Sequence, residues 1–445
     1  MLDRLLDRLE ESQWWPKDKL QEYQFGQLRP LMQHASARVP YYARLFREHD
    51  LDPDQLLSPK TWYRLPLLTR SLVQEAGSDL HSSLLPEGHT PVSRQLTSGS
   101  TGSPVESLAT PVTSLFWRAM TVRDHRWHGR DFSGKLASIH YTGSGVAEPP
   151  HGLTRPDWGT ATRDIGQTGL GAVLSIFSTT AEQAAWLNEC NPHYLVTYPS
   201  ALKALAQHCE EQGHHLTNLR NIRTFGEVLD PSVRELCRRV WNVSVADTYS
   251  TVETGFLALQ CSDHEHLHVM SEDVLMEVLD DDDRPCQPGE TGRVVVTTLN
   301  NYAMPLLRYD IGDYAEVGEP CPCGRGLPVL KRVLGRSRNL FVLPGGDRVW
   351  PSLELSEETD LAQLPVRQYQ IVQTSQELVE AFVVAHRSLT TEEESIASRA
   401  IQRAVRHSIP VKFHYVEAIP RSPTGKYEEF RSDLRSTSES AAPPA

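Results

Sequence analysis

Between residue 94 and about residue 335, short apolar runs that read as strands alternate with longer stretches that read as helices, and no other feature narrows the fold as sharply. Leu136 to His140, Tyr194 to Tyr198 and Ile222 to Phe225 are strand-like, whereas Ser200 to Gln212 and Pro231 to Val240 are helix-like. Alternation at this spacing predicts α/β layering, with helices covering sheet faces that would otherwise expose apolar side chains. The block from Val274 to Leu299 then turns β-rich, with Asp280 to Asp283 and Pro288-Gly289 as turns. The four aspartates lack the spaced ligands and closing glutamate of a calcium loop and read as a solvated turn.

At 445 residues the chain exceeds one ordinary core, so two or more domains are expected. Residues 1 to about 80 predict helices: Leu20, Tyr23, Leu28, Leu31 and Met32 recur at three-to-four spacing, and Pro40 and Pro53 punctuate the segment. Beyond Gly335-Arg336 the pattern restarts with a strand (Asn339 to Leu343), a Pro-Gly-Gly turn, a helix near Thr390 to His407 and a strand at Lys412 to Ala418. The expected division is a large domain over 1–335, a small α+β domain over 336–435 and a Ser/Ala/Pro tail over 436–445 that is too polar to order itself.

Hydrophobic residues at 39 % and charged residues at 23 % describe an ordinary globular chain. No apolar run has the length of a membrane span, and Met1-Leu2-Asp3-Arg4 opens a charged amphipathic stretch, so a cytoplasmic location is expected. A net charge of −13 argues against nucleic-acid and membrane-surface partners, and any anionic ligand must be held by local groups. Seven cysteines, an odd number over a long chain, predict reduced thiols, with Cys190, Cys209 and Cys237 in the core.

The run Leu96-Thr97-Ser98-Gly99-Ser100-Thr101-Gly102-Ser103-Pro104 can turn backbone N–H groups and hydroxyls toward one polyanion. Its glycines permit close backbone approach, and the Walker spacing is absent, which disfavours a P-loop NTPase. In the same order along the chain come Phe225-Gly226-Glu227, Asp247-Thr248-Tyr249-Ser250-Thr251-Val252-Glu253, Arg308-Tyr309-Asp310-Ile311-Gly312-Asp313, Gly335-Arg336 and Pro423-Thr424-Gly425-Lys426. Together these segments resemble the core motifs of the adenylate-forming superfamily of acyl- and aryl-CoA ligases. Val39-Pro40-Tyr41-Tyr42 through Leu65-Pro66-Leu67-Leu68-Thr69-Arg70 resembles the phenylacetate-CoA ligase branch, and the likeness spans roughly residues 30 to 430.

The resemblance implies a large multi-subdomain N-terminal domain carrying ATP and a carboxylic acid, and a small mobile C-terminal lid. Activating a carboxylate brings two anions together, so their charge must be neutralised. Thr97, Ser98, Gly99, Ser100, Thr101 and Gly102 suit the phosphates. Glu253 suits Mg2+ bridging phosphate oxygens, because a hard cation takes carboxylate oxygen. Asp313 suits the ribose hydroxyls and Arg336 ribose or phosphate. Gly226, Glu227 and Tyr249 suit the adenine slot, within a nucleotide site that also takes in Asp247, Thr248 and Ser250. Lys426 is the expected catalytic ammonium. Two departures stand out: Val252 lacks the hydroxyl usual before the glutamate, leaving Thr251 or a loop hydroxyl to replace it, and Arg338 occupies the place of the usual hinge acid.

Cys321-Pro322-Cys323-Gly324 offers two thiolates in a tight turn, with Cys261, His264, His266 and His268 upstream. Cys261, Cys321, Cys323 and His268, or His266 in its place, would close a tetrahedral structural Zn2+ site. Substrate-pocket walls are expected from His140, Tyr141, Tyr198 and Phe225, which suit a flat aryl or arylacetic acid. The expected reaction is ATP-dependent acyl-adenylate formation followed by transfer to CoA. Transfer to a carrier-protein thiol or an amine, adenylylation of a cofactor carboxylate, and a non-catalytic nucleotide-binding regulator are the alternatives. The oligomeric state is left open, a homodimer included.

Overall fold

The computed structural model of the chain describes residues 1–96, 104–353 and 364–434. The Ser/Thr/Gly run at 97–103 and the tail from 436 therefore lie outside the described residues. Residues 2–80 form α1 (Leu2–Ser12), α2 (Lys17–Arg38), α3 (Pro40–Glu48) and α4 (Arg70–Ala76), joined by short 3₁₀ turns. Pro40 opens α3, where a missing N–H costs nothing. Leu28, Leu31 and Met32 of α2 are fully buried against Tyr42, Trp62 and Leu306, so the three-to-four spacing is a core stripe.

A short hairpin, β1 (Ser93–Leu96) and β2 (Glu106–Ala109), precedes α5 (Pro111–Trp127). Then follow β3 (Leu136–His140), β4 (Leu153–Arg155), β5 (Gly171–Ser175), α6 (Thr180–Cys190), β6 (Tyr194–Thr197), α7 (Pro199–Gln212), β7 (Asn221–Phe225), α8 (Pro231–Trp241) and β8 (Ser244–Thr251). Six strands without intervening α-helices come next: β9 (Gly255–Gln260), β10 (Leu267–Val269), β11 (Val274–Leu279), β12 (Thr291–Thr298), β13 (Tyr309–Val317) and β14 (Val329–Arg336). Among the described residues, twelve of these strands form one sheet in the order β11-β12-β13-β14-β10-β9-β8-β7-β6-β3-β5-β4.

The middle of that sheet, β5-β3-β6-β7-β8, is parallel. Alternation of side chains then sorts its residues onto two faces. The register row Ala137, Leu195, Ile222 and Val245 points into a dry core under α6, α7 and α8. Cys209 and Cys237 lie in that core and Cys190 packs against it, as their surroundings in the sequence suggest. Truncating one of its fully buried leucines, such as Leu195 or Leu202, would cost about 2–5 kcal/mol. The neighbouring row, Ser138, Val196 and Arg223, points the other way, toward α5 and a cavity.

After β14 the chain makes a small hairpin, β15 (Phe341–Val342) with β16 (Arg348–Val349). The strand expected from Asn339 is therefore shorter. Asn339 sits in a 3₁₀ turn, where its side chain accepts from the Arg336 N–H (3.1 Å) and donates to the Phe430 carbonyl (2.6 Å), which pulls it out of extended pairing. A second sheet, ordered β19-β18-β17-β20, is built from β17 (Val366–Ser375), β18 (Leu378–Ala385), β19 (Val411–Tyr415) and β20 (Phe430–Ser432). Helix α9 (Thr391–Ala404) crosses between the parallel neighbours β18 and β19, and Ile371, Val379, Ala381 and Ile401 share its core. Asp280 to Asp283 form the expected turn, with their charge met by Arg284, Arg293 and Arg348.

Candidate active site

The carboxyl ends of β3, β6 and β7 open onto a cavity of about 1870 Å³ between the large sheet and the C-terminal unit. Open parallel sheets place ligands at this edge, because the loops that leave the strands there diverge around a crevice. His140 and Tyr141 end β3, Tyr198 follows β6, and Phe225, Gly226 and Glu227 end β7. All six line the cavity. The Tyr198 and Phe225 rings lie 4.8 Å apart, and the His140 Nδ1 faces the Tyr141 carbonyl at 2.8 Å.

On the opposite wall, β8, β13 and β14 bring Tyr249, Asp313 and Arg336 together. The Tyr249 hydroxyl donates to Asp313 Oδ2 at 2.8 Å, and the Arg336 Nε lies 3.5 Å from Asp313 Oδ1. Burial, then the Asp313 charge, pushes the Tyr249 hydroxyl well above the ordinary phenol range, so it stays a donor. Asp313 stands within β13, paired with Arg336 of β14, and Gly312 before it kinks the strand at φ +78°. Asp247 and Thr248 sit lower on β8: Asp247 accepts from Thr224 Oγ1 (2.7 Å), and burial lifts its carboxyl to about 6 against that bond and Arg234. Thr248 donates to the Thr224 carbonyl at 2.8 Å, and Ser250 lines the cavity.

Glu253, 9 % exposed at its side chain, lies 3.8 Å from Arg70 of α4 and also faces the cavity. Val252 beside it is exposed, and the Thr251 hydroxyl hydrogen-bonds with Thr254 Oγ1 at 2.8 Å and also lines the cavity. Arg70 was read in the sequence only as part of a family segment. Its place in the site follows from α4 docking on β13, which no local pattern announces.

Lys426 enters from the C-terminal unit on a turn pinned from both sides. Its N–H donates to Ser422 Oγ (3.0 Å), and Tyr198 Oη donates to the Thr424 carbonyl (3.2 Å). Gly425 has φ +81°, and a Cβ there would meet Ile176 Cγ2 at 2.4 Å, so only glycine fits. Gly226 likewise has φ +78° with Lys426 Cε and Tyr198 Cε1 each 3.3 Å from a Cβ position. Burial, then Arg336, lowers the Lys426 pKa, against the opposing pull of Asp313, Glu227 and Glu253. Glu227 does not present its carboxylate as a free wall. One oxygen accepts from the Ser200 N–H (2.9 Å), the other from the Tyr427 N–H (2.7 Å), and Arg421 lies 3.8 Å away, so this side chain fastens the two units together. Arg338, at the junction, is ion-paired with Glu428 of the C-terminal unit.

A second cluster lies apart from this cavity. Cys261, His268, Cys321 and Cys323 hold their ligand atoms within 4.8 Å of one another. Cys261 Sγ is 3.8 Å from Cys321 Sγ, and Cys323 Sγ is 3.5 Å from His268 Nε2. His266 stays outside the group, its ring stacked on His264 at 5.2 Å.

A parallel-centred α/β sheet and a small C-terminal unit thus enclose one cavity lined by acids and bases. The AMP-binding enzyme family matches residues 166–303, and the CapK C-terminal domain matches residues 353–432. The phenylacetate-coenzyme A ligase of Thermus thermophilus is 25 % identical over 383 residues, 81 % of this chain and 80 % of its own length. That of Escherichia coli is 25 % identical over 350 residues, 77 % and 76 % of the two chains. Among solved structures, 2-hydroxyisobutyryl-CoA ligase in its postadenylation state superposes with a TM-score of 0.71 at 20 % identity, covering 94 % of this chain and 90 % of that one. In its thioesterification state the score is 0.60. Over most of its length the chain is similar to phenylacetate-coenzyme A ligases, and part of it matches the AMP-binding enzyme family.

Proposed function

We propose that this chain is an ATP-dependent acid–thiol ligase that converts a carboxylic acid to its acyl-adenylate and passes the acyl group to CoA. In the first half-reaction a carboxylate oxygen attacks the α-phosphorus of ATP and the bond to pyrophosphate breaks. In the second the CoA thiol, losing its proton, attacks the acyl carbon and AMP leaves. The observation that carries this reading is the convergence of Glu253, Asp313, Arg336 and Lys426, from four distant segments, on one cavity. Alternating acids and bases are what a polyanion and its cation need, and local preorganised charge is the largest lever on such a transfer.

In this reading Lys426 stabilises charge on the forming acyl-phosphate, and Asp313 accepts from the ribose with Tyr249 and Arg336 holding it in place. A carboxylate has lone pairs left after accepting from Tyr249, so the ribose role and the tyrosine contact are compatible. Gly226 and Tyr249 border the base, while Glu227 acts on Lys426 by anchoring the Tyr427 N–H rather than by touching nucleotide. Glu253 is the carboxylate that would hold Mg2+, which supplies charge neutralisation at the phosphates when bound. The 97–102 run is assigned to the phosphates from its chemistry alone.

The thiol cluster suits a structural Zn2+ ion. A tetrahedron with Zn–S near 2.3 Å and Zn–N near 2.0–2.1 Å has edges of about 3.8 Å (S to S) and about 3.5 Å (S to N). The two contacts above match both. His268 Nδ1 faces the Leu327 carbonyl at 3.5 Å, which leaves Nε2 for the metal.

The test is acid-dependent exchange of pyrophosphate into ATP across a panel of carboxylic acids, followed by CoA-dependent release of AMP. No exchange with any acid would refute the first half. Exchange without consumption of CoA, but with an amine or carrier thiol as acceptor, would redirect the second.

A further inference from the structure

The floor of the acid pocket is charged, which the aromatic walls read from the sequence do not foretell. Behind Phe225, two residues back on β7 and on the same face, stands Arg223, which lines the cavity and keeps 14 % of its side chain exposed. Helix α5 presents Thr121, Asp124, His125 and His128 at i, i+3, i+4 and i+7 spacing, so one face of the helix meets that arginine. Asp124 is fully buried and does not reach the cavity, yet its Oδ2 serves two guanidinium groups, Arg130 at 2.5 Å and Arg223 at 3.4 Å. Its Oδ1 has only His128 Nε2, at 3.7 Å.

The charge does not balance. Burial first, then Arg130 and Arg223, keeps His125 uncharged, and burial holds His128 at about 4, so one carboxylate faces two permanent cations. Asp247 is no remedy, because it belongs to the adjacent register row with Thr224, on the opposite face of the sheet. The sole side-chain hydrogen bond of Arg223 among the described residues is the long one to Asp124, and its Nε has none. A buried, under-paired guanidinium on a ligand cavity is costly unless an anion meets it.

We propose that the acid this protein activates is an aromatic acid carrying a second anionic oxygen group at its far end, which pairs with Arg223 while the first carboxylate lies near Lys426. Gly226 lies three positions beyond Arg223, about 10 Å at strand spacing, which accommodates one substituted ring between the two cationic ends. Trp158, Phe225 and Tyr198 line the cavity along that length. The inference rests on the ligase reading and adds the substrate class to it.

Paired acids test it on the unaltered full chain: 4-carboxyphenylacetate against phenylacetate, and terephthalate against benzoate, each by pyrophosphate exchange and by calorimetric binding without ATP. The dicarboxylate of a pair should be favoured about 10- to 100-fold in kcat/KM, the usual worth of one charge-assisted hydrogen bond. Arg223→Met should abolish the preference and Arg223→Lys should restore part of it. Equal or better exchange with the monocarboxylates, or a preference unchanged in Arg223→Met, would overturn the inference and leave the ligase reading standing. Dicarboxylate binding that depends on Arg223, with no exchange for any acid, would instead uphold the subsite and sink the ligase reading. No binding and no exchange would remove both.

Discussion

Replacing Lys426 with alanine is the perturbation that most directly probes the assigned chemistry. The lysine is not a flexible surface cation: Ser422 fixes its backbone, Tyr198 fixes the preceding Thr424, and Gly425 packs so closely on Ile176 that the turn has little freedom. A donor held in this way has already met its desolvation cost, as the downward shift of its pKa by burial records. Removing one preorganised charge stabiliser typically costs 10²–10³ in rate, about 2.7–4 kcal/mol, and single-turnover acyl-adenylate formation followed by rapid quench should fall by that amount. ATP affinity, measured by equilibrium binding, should change less than threefold, because Arg336 and Arg70 remain on the cavity. The sign with pH is also fixed: the protonated amine is the active form, so adenylation by the unaltered chain should decline as pH rises through a value below the ordinary lysine range. That limb should vanish in Lys426→Ala. Loss of ATP affinity equal to the loss of rate would make Lys426 a ground-state ligand and refute the argument.

Three further outcomes follow from the geometry. Asp247→Asn should stabilise the fold at pH 7: a buried carboxyl raised to about 6 gives stability that is complete below the ordinary value of 3.8 and lost as pH rises through 6, roughly 3 kcal/mol at most. Urea unfolding should show the gain shrinking between pH 7 and pH 4, and a gain independent of pH would contradict it. Metal analysis should find about one zinc per chain, and Cys321→Ser or a strong chelator should lower the melting temperature while the folded fraction retains pyrophosphate exchange; zinc-free protein of full stability would exclude the site. Glu428→Gln removes the charge paired with Arg338, a partly exposed contact worth about 1 kcal/mol or less. It should therefore raise thioester formation a few-fold relative to adenylation by freeing the small domain, and a proportional fall in both rates would show the pair to be merely structural.

Much of the scaffold was legible because it is written in local period. The spacing of Leu28, Leu31 and Met32 marked a helix, and the strands at 136, 194 and 222 were marked by short β-prone runs between turn residues. The strand expected at 339 shrank because Asn339 spends its side chain on Arg336 and on Phe430, and the second of these, 91 residues away, lies in no window around it. The candidate site divides along the same line. Glu253, Asp313, Arg336 and Lys426 could be singled out from their motifs, whereas Arg70, though it closes a family segment, carried no signal of a site role, Arg223 carried no motif, and both gained their positions only when α4 met β13 and α5 met β7.

By itself, the order of residues marked most of the elements, the likeness to the adenylate-forming superfamily and the types of side chain available for the chemistry, since each depends on neighbours a few positions apart or on short motifs. The tertiary structure alone decided that the Glu227 carboxylate ties the two units together, that His266 stays off the thiol cluster, and that two guanidinium groups share one carboxylate behind the pocket floor. Charge balance and hydrogen-bond partnership are properties of atoms a few ångströms apart, and here those atoms are up to about two hundred residues apart along the chain.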